Sequence, residues 1–477
     1  MSAPQPCLLA RAAAWAAVAT LTACATPQAD RGLAAVQQAV APHLALSAHS
    51  LALPRDTPAW TAQQDRVDRL LLQPLDADTA VQVALLGNRG LQAQLAELRI
   101  TEAEIEQAAR LPNPGLSLAR TTRGDEIEIE RSLHLSLGRL LLRPWTQELE
   151  ERRLQQVQAL AAQQVLALAA DTRRAWIHAV AAEERLKYAH QVMDAAQAGA
   201  ELARRMATAG NFNALQTARE ESFAAEATVQ LARAQHARTA TRERLSRLLG
   251  LWGEQTRFTL PTRLPPLPAQ ALDMPDLERQ AMATRLDVQG ARQMAERTAR
   301  QLGLVRPLGL INVLELGAMR NSSNEAPTQR GWEVSLELPL FDWGQSRVAR
   351  AEAVYWQALH QAAHTAVEAR SELREAYGQY RTAWDIAHHQ LTELVPLRQR
   401  ISQENLLRYN GMLIGVFELL ADARAQVASV TGALDALRDF WLAQVDLDAA
   451  RVGKPALAPL ASPSADAGTA PGAAPGH

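Results

Sequence analysis

Glu126-Ile127-Glu128-Ile129-Glu130-Arg131-Ser132-Leu133-His134-Leu135-Ser136-Leu137 and, about 200 residues later, Trp332-Glu333-Val334-Ser335-Leu336-Glu337-Leu338-Pro339-Leu340 share a period of two. In the first, Ile127, Ile129, Leu133, Leu135 and Leu137 alternate with Glu126, Glu128, Glu130, Ser132, His134 and Ser136; in the second, Trp332, Val334, Leu336, Leu338 and Leu340 alternate with Glu333, Ser335 and Glu337. A strand sends successive side chains to opposite faces, so each run has one greasy face and one acidic face. That pattern suits a membrane β-strand whose apolar side meets lipid, with Glu126, Glu128, Glu130, Glu333 and Glu337 turned to a water-filled lumen. It also fits a half-buried sheet in a soluble domain. Strands are expected over about 114–137 and about 307–340. Leu116 to Arg120 and Leu308 to Arg320 are the expected hairpin partners, reached through Thr122-Arg123-Gly124-Asp125 and the polar segment 321–330.

Beyond each strand pair the period becomes three and four. Leu154, Val157, Ala161, Val165, Leu168, Thr172, Ala175, Ala179, Ala182, Leu186, Ala189, Met193, Ala196, Ala200 and Ala203 mark one seam; Leu359, Ala362, Ala366, Ala369, Leu373, Ala376, Tyr380, Ala383 and Ala387 mark another. Both read as coiled-coil helices, over about 145–208 and about 344–409. The first would be roughly 95 Å long, too long for a globular core, so it must pack lengthwise on other helices. Turns at Gly210 and Gly411 fold each helix back on a partner, 214–250 and 416–450. Pro396 removes a backbone donor where the first copy has Ala195, so a kink is expected near Val395 in the second copy only.

The chain is thus an internal duplication. Ala209-Gly210-Asn211-Phe212 matches Asn410-Gly411-Met412-Leu413, Ser132 to Arg143 matches Val334 to Gly344, and Asn88 to Arg99 loosely matches Thr284 to Arg297. The copies occupy 76–250 and 276–452, joined by a Pro-rich linker, 251–275. Residues 24–75 read as an extended arm, and 453–477, made of Ala, Pro, Ser and Gly, as a disordered tail.

At the N-terminus, Ala12 to Leu21 form a short apolar run after Arg11, followed by Leu21-Thr22-Ala23-Cys24. This is a secretory signal, too short to span a membrane, with the leucine and small residues before a cysteine that lipoprotein processing uses. Residues 1–23 would be removed and Cys24 acylated, leaving a covalent lipid as the only attached group. An ordinary signal peptide that happens to abut a cysteine is the alternative. Cys7 leaves with the signal, so the mature chain has no disulfide to form and no thiol cluster. Ala25 after the anchor, in place of an aspartate, points to the outer membrane.

The composition is 48% apolar, 21% charged and 4% aromatic, with a net charge of −2. That is a long-helix composition, and no basic patch with interleaved aromatics points to nucleic acid. His360 and His364, and the adjacent His388 and His389, lack a third ligand in sequence and make no metal site. No phosphate loop, catalytic triad or cofactor motif appears, so no catalytic residue is assigned and an enzyme is not expected.

Four strands cannot close a barrel, and an open edge in lipid would strand its amides and carbonyls without water. Oligomerisation follows; three chains would supply about twelve strands and a continuous α-helical tube. The order of these elements resembles the TolC-type outer-membrane efflux family over about residues 70–452. Leu338-Pro339-Leu340-Phe341-Asp342-Trp343-Gly344 is similar to its strand-to-helix junction, and Leu111-Pro112-Asn113-Pro114 to its passage from helix to strand. Tyr409-Asn410-Gly411, with Glu418-Leu419-Leu420 and Ala423-Arg424, is similar to its second periplasmic tip.

The resemblance implies a mainly α fold: duplicated coiled-coil hairpins forming an α-barrel, and a trimeric, 12-stranded β-barrel. It implies a homotrimer in outer-membrane lipid that conducts substrate passively from an inner-membrane pump and its periplasmic adaptor, a membrane fusion protein. Gly210, Asn211, Phe212, Asn410, Gly411, Met412 and Leu413 would be adaptor-docking tips. Glu418 and Asp422, four apart, would make stacked carboxylate rings at a gate, with Gln216 and Glu220 at the equivalent spacing. The competing reading is a periplasmic coiled-coil lipoprotein acting as adaptor or spacer, for which one hairpin rather than two would be usual.

Overall fold

The computed structural model describes residues 31–44, 51–308, 314–336 and 344–453. The signal, Cys24, Glu337, the junction at 338–343 and the tail from Lys454 lie outside the described residues. The described chain forms two units: Met1–Ala39 with Gln94–Ala161 and Arg300–Ala351, and Val40–Ala93 with Ala162–Ala299 and Glu352–His477.

In the first unit, β1 (Gly115–Arg123), β2 (Glu126–Ser136), β3 (Leu314–Ser323) and β4 (Gln329–Leu336) form an antiparallel sheet in that order. Gly124 turns the first hairpin at φ +62°, which a two-residue loop between twisted strands requires. The second hairpin is longer than the sequence predicts: β3 runs on to Ser323 and β4 starts at Gln329, within the segment expected as loop. Asn324 holds the hairpins together, accepting from Ile127 N–H at 2.8 Å and donating to the Asp125 carbonyl at 2.8 Å. Within this unit Gly32 N–H donates to Glu102 at 2.5 Å, and Arg153 pairs with Glu104 at 2.6 Å.

Leu137 is not a strand residue. It opens a helix of 72 residues, Leu137–Thr208, which starts earlier than the expected residue 145. The ladder ends at Ser136, paired with Glu315, and the Leu and Arg residues that follow are good helix formers. Pro144 is contained inside that helix.

The helices, in chain order, are α1 (Arg31–Val40), α2 (Thr57–Leu70), α3 (Ala77–Gly87), α4 (Arg89–Ala109), α5 (Leu137–Thr208), α6 (Ala214–Leu249), α7 (Leu277–Thr284), α8 (Leu286–Leu308), α9 (Gln345–His389), α10 (Val395–Asn410) and α11 (Val416–Val452). The segment 24–75, read as an extended arm, therefore contains α1 and α2. Asp56 caps α2 by accepting from Ala59 N–H, with Pro58 in the first turn, and Val67 is buried in the core.

Among the described residues of the second unit, two clusters form the core. Val67, Leu75, Val83, Leu86, Trp176, Val180, Leu245, Leu249 and Phe258 pack together, as do Leu277, Leu373, Tyr380, Phe440 and Leu447. The alanine seam of α5 is buried at Ala175, Ala179, Ala196, Ala200 and Ala203, and that of α9 at Ala369, Ala376 and Ala387. Upstream in α9 the seam shifts by one: Ala358 is buried and Leu359 exposed. At the end of α6, Gly250 takes φ +72°, and a Cβ there would lie 2.3 Å from the Gly87 carbonyl oxygen. Only glycine permits both the left-handed turn and that approach.

The linker 251–275 is strapped to the second copy. Trp441 donates to the Pro265 carbonyl at 3.0 Å, Trp384 to Pro268 at 3.1 Å, and Leu272 N–H to the Tyr380 hydroxyl at 2.9 Å. Arg285, fully buried between α7 and α8, donates to Asp287, Glu372 and the carbonyls of Ala369 and Ala450.

Where a kink is expected near Val395, the helix carries a widened turn ahead of Pro396. A π-helical turn, Gln390–Leu394, precedes it, and Val395 N–H bonds to the Gln390 carbonyl. Proline would clash with the carbonyl four residues back, and widening the turn relieves that conflict. The equivalent stretch of α5 is uninterrupted helix.

Candidate functional site

Pairing register assigns every strand residue to a face. Glu126, Glu128 and Glu130 share one face with Ser132 and His134, and across the ladders with Ser117, Thr121, Gly317, Asn321 and Ser323. Glu333 joins them opposite Gly317, and Glu315 opposite Ser335. The sheet thus gathers four sequence-singled glutamates on one side and adds Glu315, which the apolar reading of 308–320 overlooked; Glu337 lies outside the described residues. Asn321 donates to Glu128 and Ser323 to Glu126, and Arg123 on β1 stands directly opposite Glu126 on the same face.

The other face carries Leu116, Leu118, Ile127, Ile129, Leu133, Leu135, Leu314, Leu316, Ala318, Trp332 and Val334. Trp332 is 75% exposed, and Leu116, Leu118 and Leu133 are also exposed. A soluble sheet would bury such a face. The same face holds one row of different chemistry, Arg131, Arg320 and Arg330 directly opposite one another on β2, β3 and β4. β1 and β4 are the edges, and among the described residues neither has a second partner strand.

At the first helical tip, Gly210 at φ +76° ends α5: Asn211 N–H bonds to the Met206 carbonyl at 2.8 Å and Gly210 N–H to Ala207 at 3.0 Å. This is the left-handed helix stop that glycine favours. Asn213 then caps α6 in a reciprocal box with Gln216, so the amide considered for a lumen is used at the helix start. The second tip has the same bonds one residue further along than the sequence match implies. Leu413 N–H bonds to the Arg408 carbonyl at 2.8 Å and Met412 N–H to Tyr409 at 2.9 Å. Met412, not Gly411, therefore occupies the left-handed position, at φ 57°. Its side chain is 94% exposed and that of Leu413 is 78% exposed, while Phe212 is half-buried. Asn211, Asn410 and Gly411 are exposed.

The acidic residues above the tips fare differently from one another. Glu418 is exposed. Asp422, one turn on, is only 9% exposed, and its Oδ2 has no hydrogen-bond partner. Glu220 is 2% exposed and accepts from Arg424 at 2.7 Å, a link between α6 and α11 that joins the two hairpins. The Arg424 guanidinium also lies 5.7 Å from the Phe223 ring and 6.0 Å from Phe417, and Arg219 is 5.4 Å from Phe417. Sequence spacing alone could not find this cluster, because its members come from both copies.

The histidines are engaged locally. His364 lies 3.3 Å from Glu368 and His389 3.2 Å from Glu393, while His360 stacks on Trp356 and His388 on Trp384.

A duplicated pair of long helical hairpins, with an open four-stranded sheet greasy on one face and acidic on the other, defines the fold of TolC-type outer-membrane channels, and this chain has that fold. It superposes on CusC with a TM-score of 0.65 at 16% identity, over 79% of this chain and 92% of that one. The CmeC outer membrane channel of Campylobacter jejuni gives 0.66 at 13% identity, over 85% and 91%. The open MtrE outer membrane channel of Neisseria gonorrhoeae gives 0.66 at 18%, over 81% and 89%. In sequence, the chain is 27% identical over 293 residues to the cobalt-zinc-cadmium resistance protein CzcC of Cupriavidus metallidurans, covering 58% of this chain and 66% of CzcC. The match thus spans just under two thirds of that relative. No family model matches the chain.

Proposed function

We propose that the protein is the outer-membrane channel component of a tripartite efflux system, a lipid-anchored homotrimer that conducts substrate passively from a periplasmic adaptor and inner-membrane pump to the exterior. The observation that carries this reading is the sheet. Its exposed leucine face suits lipid, its glutamate face suits water, and its two unpaired edges require further strands before it can stand in a bilayer. Three copies joined edge to edge meet all of these demands, and a duct of this kind needs no catalytic group. The adaptor would meet the tips, where Met412 and Leu413 offer exposed apolar contact.

Cations are the proposed cargo. A lumen bearing Glu126, Glu128, Glu130, Glu315 and Glu333 from each chain attracts cations and repels anions. The likeness to a cobalt, zinc and cadmium resistance protein supports divalent metals among them. At the periplasmic end we assign entrance control to Glu418 and Asp422, with Glu220 serving as a strut through Arg424.

The test is single-channel recording of detergent-extracted protein in a planar bilayer, beside the mass of its heat-resistant oligomer. Discrete cation-selective steps from a trimer are expected. A protein that leaves the membrane without detergent once Cys24 is replaced, and never conducts, would show a periplasmic coiled-coil lipoprotein instead.

A further inference from the structure

The greasy face of the sheet carries a band of arginines. Leu118, Arg131, Arg320 and Arg330 form one cross-strand row, and the next row towards the hairpin turns holds Arg120, Ile129 and Ser322. All four arginines are exposed. Arg131 donates to the Ser322 hydroxyl at 3.3 Å, and among the described residues no carboxylate makes an ion pair with any of the four. The sheet's glutamates cannot serve, because register places Glu126, Glu128, Glu130, Glu315 and Glu333 on the opposite face.

Like charges directly opposite one another on neighbouring strands destabilise a sheet. Three guanidiniums in one row, bordered by leucines, therefore call for anions from outside the protein. Position narrows the source. On the helix side of the row comes Leu116, Leu133, Ala318 and Trp332, followed by Leu135, Leu316 and Val334. From Leu314 to Arg320 the strand covers roughly 20 Å, about 15 Å of height at the tilt of a membrane barrel. The arginines thus border the apolar band on the side of the hairpin turns. Trp332, in the adjoining row, is the residue type that sits where hydrocarbon meets headgroups.

We propose that Arg131, Arg320 and Arg330, flanked by Arg120, form a binding site for the phosphate groups of anionic membrane lipid, whose acyl chains lie along the leucine rows. The inference rests on the reading of this sheet as a membrane wall. Guanidinium recognises phosphate by paired hydrogen bonds, and three in register can engage a headgroup bearing more than one phosphate. A free phosphate ion would match the charge but leave Trp332 and the leucines without a partner, so a lipid is the occupant the surface fits.

The experiment uses the full-length protein in phosphatidylcholine nanodiscs doped with either phosphorylated lipid A or the same glycolipid after dephosphorylation, with bound lipid counted by native mass spectrometry. Wild type should retain the phosphorylated form roughly tenfold better. Arg131→Gln, Arg320→Gln and Arg330→Gln together should abolish that preference, and the three lysine replacements should weaken it. Glu126→Gln, Glu128→Gln and Glu130→Gln on the other face should leave it intact. Equal retention of both lipids by wild type, or displacement by equimolar inorganic phosphate, overturns the site. That comparison needs no variant, so it decides even if the triple replacement fails to fold. Flotation of the Cys24→Ala protein, which carries no acyl anchor, with pure phosphatidylcholine vesicles separates the two levels: if it floats, absence of lipid preference loses only this inference, whereas failure to float loses the membrane wall and the site with it.

Discussion

Met412 holds a φ of 57° with its side chain almost wholly in solvent, at a position where the first copy uses Gly210. A non-glycine residue there costs about 1 kcal/mol, and nothing in the fold repays it. Met412→Gly should therefore raise stability by roughly 0.5 kcal/mol, the relief of strain being partly offset by the freedom glycine gains in the unfolded chain, seen as a slightly higher Tm. Because the methionine side chain is the exposed contact proposed for the adaptor, the same variant should weaken adaptor pull-down. Sequence matching paired Gly210 with Gly411, since a glycine at a tip invites that pairing, yet Gly411 sits at φ −81° where any residue fits. The hydrogen bonds of the turn, invisible in the sequence, set the true equivalence. Glu220 was misleading for a related reason. Its spacing from Gln216 suggested a place in a gate ring, but its partner Arg424 stands in the other copy. Arg424→Gln would leave a buried carboxylate unpaired and should cost about 3 kcal/mol, whereas Glu220→Gln with Arg424→Gln should cost less than the sum of the two single changes, as a double-mutant cycle on unfolding would measure.

Among the elements, the long helices and the strands were legible because their periods persist over many residues, and α5, α9 and the four strands lie where that periodicity puts them. Boundaries were less so. Leu137 continues the alternation of β2 and was read as strand, but a strand exists only where a partner strand pairs with it, and Glu315 is the last partner. Helices α1 and α2 are short, of 10 and 14 residues, too brief for a seam to show in sequence. Electrostatic environment was not legible at all. His178 on α5 has its pKa held below 6.5 by burial, with Arg438 and Arg244 adding to the shift and Asp439 opposing it. The folded chain thus keeps a neutral imidazole where the unfolded chain takes up a proton. Stability from this group is fully present above pH 6.5 and is lost as the pH falls from there through the lowered folded value, because the unfolded state then binds more protons. His178→Gln should reduce the drop in Tm between about pH 7.5 and about pH 5.5, while leaving Tm at the higher pH little changed.

At the scale of the whole molecule, the alternation brought out Glu126, Glu128, Glu130 and Glu333 on one face but neither Glu315 nor the arginine row. Arg131 keeps phase with Ile129 and Leu133 and so interrupts the apolar alternation at one position; only the ladder register brings Arg320 and Arg330 beside it. The same register makes assembly testable without a channel recording. Within one chain β1 and β4 are separated by β2 and β3, so their backbones stand roughly 14 Å apart at ordinary strand spacing. A disulfide needs Cα atoms within roughly 7 Å, so cysteines on the two edges cannot join inside one copy. Between copies joined edge to edge they can. Ala119→Cys should be combined in turn with Gln329→Cys, Gly331→Cys and Glu333→Cys, all on the acidic face, because the offset between two copies is set by the barrel's stagger. At least one pairing should oxidise to a covalent trimer on a non-reducing gel, whereas Ala119→Cys alone should give none. If every pairing stays monomeric in the native membrane, the edges do not meet, and the open sheet must be covered by something other than its own copies.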